Sequence, residues 1–94
     1  MTTIIRRLTK DSSENYATVC DYEWRLREQV EALQDWLKKN RHSLPKGNKW
    51  IADIGFSVRP DALAGGPPIY RRMMEMCLEV NMEIYLSEYG GVEV

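Results

Sequence analysis

Hydrophobic and polar positions change period from one stretch of the chain to the next. Lys49 to Arg59 alternates: Trp50, Ala52, Ile54, Phe56 and Val58 share one face, while Asp53, Ser57 and Arg59 share the other with Ile51 and Gly55. A period of two predicts a half-buried strand, which Pro60 ends. Thr2 to Thr9 alternates less cleanly, but Thr2-Thr3-Ile4-Ile5 and Leu8 are strand-prone, and Arg6 and Arg7 suit an edge. The longest periodic stretch runs from Asp11-Ser12-Ser13-Glu14 to about Asn40. Val19, Leu26, Val30, Leu33 and Leu37 recur at helical spacing, widened by Tyr16, Cys20, Trp24 and Trp36. Asp11 or a following serine caps the predicted helix, with Glu14 in the capping-box position. Asp21 with Arg25, Glu23 with Arg27, and Asp35 with Lys39 are acid-first pairs four apart. Lys38, Lys39 and Arg41 complement the negative helix end, and Pro45 and Gly47 close it.

After the strand, Asp61-Ala62-Leu63-Ala64-Gly65-Gly66 reads as a loop, and a second helix is predicted from Pro67 or Pro68 to Tyr89. Met73, Met74, Met76 and Met82 make it broadly apolar. Glu75, Glu79 and Glu83 mark a narrow polar stripe, with Arg71 and Arg72 above it. Gly90-Gly91 is a natural left-handed cap, followed by a tail, Val92 to Val94. Together these elements predict one α+β domain over residues 1–94. Its order is strand–helix–strand–helix, with two long helices packed on a short β-sheet. The pattern leaves open whether the two strands pair with each other.

Composition narrows the function. The 94 residues are 44% hydrophobic and 29% charged, ordinary for a globular chain. A net charge of -1 argues against binding nucleic acid through a general electrostatic field. The local pairs Arg6-Arg7, Lys38-Lys39 and Arg71-Arg72 read first as solvated surface. No charged-then-apolar leader opens the sequence, and no apolar run reaches the roughly 18 residues of a membrane span. Cys20 and Cys77 are distant and lie in apolar patterns, so two buried reduced thiols in the cytoplasm are expected. Metal binding lacks ligands, because His42 is the single histidine and no second cysteine stands at ligand spacing. Nucleophilic catalysis lacks a base beside an activated serine or cysteine. Gly65-Gly66 lacks the lysine and hydroxyl residue of a phosphate loop. The expectation is therefore a non-enzymatic protein with no cofactor.

What remains is surface. The methionine helix offers adaptable, polarizable area that so few other elements cannot cover all round. Trp24, Trp36 and Trp50 read as core, Trp24 being the exception to look for because it lies off the aliphatic stripe. Pro67-Pro68 fixes the chain between loop and helix, and one proline isomer there sets the shape of the docking surface in this reading. A host prolyl isomerase acting at Pro68 could then assist.

In length, in order of elements, and in Gly65-Gly66-Pro67-Pro68-Ile69-Tyr70-Arg71-Arg72 leading into the last helix, the chain resembles the anti-RecBCD proteins of lambdoid phages (Abc-two type). The resemblance implies binding to the host RecBCD helicase–nuclease through its RecC subunit. End processing would be inhibited or redirected so as to favour phage growth and recombination. The partner-binding residues expected on this reading are Gly66, Pro67, Pro68, Ile69, Tyr70, Arg71 and Met73. The prolines set loop shape, Ile69, Tyr70 and Met73 bury, and Arg71 lies at the rim. Three other readings stand beside it. One is a small nucleic-acid-binding accessory using Arg6, Arg7, Arg71 and Arg72. Another is a phage inhibitor of a different host defence complex. The last is an obligate homodimer burying the methionine helix against its copy.

Overall fold

The computed structural model describes residues 2–21, 23–60 and 62–90. Thr3–Leu8 (β1) and Ser13–Val19 (β2) form an antiparallel hairpin. Its turn is tied by Thr9 and Ser12: the Thr9 amide and hydroxyl both donate to the Ser12 carbonyl at 2.8 Å. Leu26–Asn40 (α1) and a single 3-10 turn at Arg41–Ser43 lead to Lys49–Ser57 (β3). Arg71–Glu79 (α2) then passes to Met82–Tyr89 (β4). The sheet order is β2-β1-β3-β4, antiparallel except for the parallel β3–β4 pair. β1 and β3 do pair, with Ile5 opposite Ala52.

The α+β class holds, with two helices on one sheet. The expected order survives as β1, α1, β3, α2, but two stretches expected to be helical are strands. Asp11 and Ser12, taken as a helix cap, lie in the hairpin turn, and Ser13 opens β2, because the same polar residues serve both. Ser13–Val19 then pairs with β1, whose edge is otherwise unpaired, and tertiary pairing overrides the helical spacing. The second helix stops at Glu79 rather than running to Tyr89. Asn81 adopts φ 60, the left-handed conformation that ends helices, and strand alternation begins one residue later. Both helices are consequently shorter than expected, and the sheet has four strands. Gly90 follows β4 and caps no helix. Asp61, Gly91 and Val92 to Val94, assigned above to a loop, a cap and a tail, lie outside the described residues.

Both helices cover one face of the sheet. Ile5, Trp50, Ala52, Ile54 and Met82 pack there against Val30, Leu33 and Leu37 of α1 and Met73, Met76 and Cys77 of α2. Val19, read as part of the helical stripe, joins the same core from β2. Gln29 is fully buried and fastens the β2–α1 connection. Its amide donates to the carbonyls of Cys20, at 3.2 Å, and of Glu23, while the Thr3 hydroxyl donates to its oxygen at 2.7 Å. Trp50 is 1% exposed and packs T-shaped with Tyr16, their ring centroids 4.8 Å apart; Trp24 and Trp36 are half-buried. On the other face, Arg6 donates to Asp53 at 2.7 Å and the Ser87 hydroxyl donates to the same carboxylate, linking three strands. No helix among the described residues is long and apolar enough to cross a membrane.

Candidate docking surface

Two arginines bond the segment before α2, one from α1 and one from within the same loop. Arg59, just beyond β3, donates to the Ala64 carbonyl at 3.0 Å, and Arg27 of α1 donates to the Gly66 carbonyl at 3.4 Å. Gly65 and Gly66 take φ of 94 and 130, conformations that side chains rarely adopt. Two trans prolines then extend the chain, and the Tyr70 carbonyl accepts from the amides of Met73 and Met74 as α2 begins. Pro67 and Pro68 fix φ along the way. Ile69 and Tyr70 are thereby held outward, 38% and 62% exposed.

Two grooves flank this segment. A cavity of about 490 Å³ lies between it, the first turn of α1 and the end of β3, floored by Leu26, Phe56, Val58 and Pro67. A second, of about 290 Å³, is lined by α1 from Arg27 to Asp35 together with Pro67, Pro68 and Tyr70. The surface thus offers exposed apolar side chains beside concave, partly apolar hollows.

Of the residues expected to bind a partner, Gly66, Pro67, Pro68, Ile69, Tyr70 and Arg71 form one continuous stretch, exposed except at half-buried Pro67. Met73 does not join them. It is fully buried, on the inward face of α2 with Met76 and Cys77, and its role is packing. The apolar α2 residues left outside are Met74, 50% exposed, and Leu78, 81% exposed, one helical turn apart. Met74 was among the methionines expected to offer surface, but Leu78 was not singled out; the four-residue spacing of the two, off the Met73–Cys77 stripe, was the available signal. The clamp by Arg27 had no local signal, because it reaches across the fold to the Gly66 carbonyl, whereas Arg59 bonds a carbonyl five residues on, within its own loop.

Electrostatics separate the arginines by role. Arg6 pairs with Asp53 at 2.7 Å, Arg7 with Glu14 at 2.9 Å and Arg72 with Glu79 at 3.5 Å. Of the four arginines considered for phosphate binding, only Arg71 has no ion-pair partner among the described residues. Arg25 pairs with Glu23 and Glu28 rather than with Asp21, since residues 23–25 precede the helix. Hydrogen bonding to Arg25 lowers the Glu23 carboxyl below its ordinary value. Both cysteines are free. Burial pushes the Cys77 thiol up to about 11, and burial followed by the charges of Glu23 and Glu28 raises Cys20, so neither is an activated nucleophile. His42 is exposed, and no group of three or more metal-ligating side chains occurs among the described residues. Compared with protein-family models, curated proteins and solved structures, the chain matches none of them.

Proposed function

We propose that this protein is a non-enzymatic docking protein acting in the host bacterial cytoplasm. Its partner in this reading is RecBCD, contacted through RecC as the resemblance implies, with the outcome that DNA-end processing is inhibited or redirected in the phage's favour. The observation that carries the docking role is the braced segment from Gly66 to Arg71. Tyr70 is largely and Ile69 partly exposed, on backbone fixed by two prolines and hydrogen-bonded by two arginines. Preorganised apolar anchors lose little entropy on binding, and burying each contributes about 1.5–3 kcal/mol. Arg71 supplies a charged contact at the rim. Pro68 is exposed within an extended stretch, so a host prolyl isomerase acting there is an accessory partner in the same reading.

Nucleic-acid binding is the weaker alternative, because three of its four arginines are engaged by carboxylates. Salt separates the two. Phosphate contacts release counterions and weaken steeply with salt, whereas apolar docking does not. Purified tagged protein should retain RecBCD at both moderate and high salt. Recovery of nucleic acid alone, lost at high salt, would count against the proposal, as would recovery of neither.

A further inference from the structure

The two edges of the sheet differ in a way that matters for assembly. Along β2 the pairing with β1 carries a bulge, and its exposed residues are mostly polar: Ser13, Glu14, Asn15 and Thr18. Bulges and polar side chains are the usual means of blocking an open edge. β4 has no bulge, and its polar residues, Glu83, Ser87 and Glu88, are interleaved with exposed apolar ones. Its eight residues pair with β3 without a register shift and contain no proline, lysine or arginine. Tyr85, Leu86 and Tyr89 are 49–53% exposed along it. The outer amides and carbonyls of such a strand are a ready template for pairing with another strand.

Apolar surface continues from this edge onto the helix layer. Arg41, at the end of α1, bonds Glu79 and Met76 of α2, which fixes the side of α2 that faces α1. At 3.6 residues per turn, Met74 lies on the opposite flank and Leu78 on the outer surface. Leu86 shares the helix-covered face of the sheet with Met82 and Ile84, since their β3 partners are Ile54, Trp50 and Ala52.

We propose that β4 pairs antiparallel with β4 of a second copy of this chain, giving a continuous eight-stranded sheet about a twofold axis at Tyr85. A twofold axis perpendicular to the sheet keeps both helix layers on one side, so only residues of equal parity face each other. With Tyr85 opposite itself, Ile84 faces Leu86 of the copy twice, Glu83 faces Ser87 and Glu88 faces Met82. No carboxylate opposes another, and the apolar pairs are those that stabilise adjacent strands. Because the β2 edge is blocked, the contact closes at two chains instead of propagating. Both docking segments then face the same way, and neither lies in the seam.

Sedimentation equilibrium of the full chain across a roughly hundred-fold concentration range tests this by mass action. The expected result is a dimer at twice the 11.0 kDa chain mass. Tyr85→Lys, which sets two ammonium groups across the axis, should weaken dimerisation at least tenfold, whereas Asn15→Lys on β2 should not. Circular dichroism checks that Tyr85→Lys stays folded. Independently, Tyr85→Cys should form a cross-linked dimer on mild oxidation, above the level given by the native cysteines in the unsubstituted protein. A monomer at every concentration would overturn the proposal and leave β4 to a strand of another protein. A dimer indifferent to Tyr85→Lys, with no added cross-link from Tyr85→Cys, would overturn it equally.

Discussion

At the scale of single residues, neighbouring methionines of one helix do different work. Met73 is fully buried against the sheet, while Met74 is half in solvent. Truncating a buried methionine removes its transfer free energy and leaves a cavity, so Met73→Ala should cost about 2–5 kcal/mol. Met74→Ala should stay within about 0.5 kcal/mol of wild type. Urea unfolding of both variants checks the contrast, and equal losses would mean that α2 is turned differently on the sheet. Cys77 adds a pH signature. Its thiol is raised from 9.0 to about 11 by burial, so the folded state holds the proton more tightly than the unfolded one. The stability it contributes is complete below 9.0 and is lost as pH rises through 11. Unfolding midpoints should therefore fall over that window, and fall less in Cys77→Ala. Parallel declines in the two proteins would exclude Cys77 as the source.

At the scale of elements, close approach around Gly55 gives the sharpest expectation. A Cβ there would lie 3.1 Å from the Thr2 carbonyl oxygen and 3.2 Å from the Tyr89 ring. The carbonyl cannot retreat freely, because it accepts the Gly55 amide at 3.0 Å. Gly55→Ala should thus destabilise by about 1–2 kcal/mol, measured by urea or thermal unfolding. An unchanged or stabilised variant would show that this seam has slack. Elements with one strong period were legible in the sequence: β3 from its alternation, and the body of α1 from Val30, Leu33 and Leu37. The misread elements carried two signals at once. Ser13–Val19 has the apolar spacing of a helix and the residues of a strand, and only the presence of β1 decides between them. Met82–Tyr89 was read through Asn81, although asparagine is the residue other than glycine that most readily adopts a left-handed stop. Within the candidate site, the Gly66-to-Arg71 stretch was legible from its glycines and prolines. The brace from Arg27 and the inward turn of Met73 were not, since both depend on contacts distant in sequence.

At the scale of the molecule, the fold divides its surfaces. The helix layer and sheet bury one core, the Arg6–Asp53–Ser87 network dresses the opposite sheet face, and β4 leaves one edge open. The segment before α2 leaves Ile69 and Tyr70 exposed, with hydrogen bonds from Arg27 and Arg59 to its backbone. The claim that this segment is the docking site is tested most directly by titrating purified RecBCD with the wild-type protein and with a Tyr70→Ala variant at high salt. The wild type should bind, and the variant should lose about 2 kcal/mol of binding free energy, roughly a thirtyfold weaker Kd, with its unfolding midpoint unchanged. Equal affinity of the two proteins, or no binding by the wild type, would contradict the account.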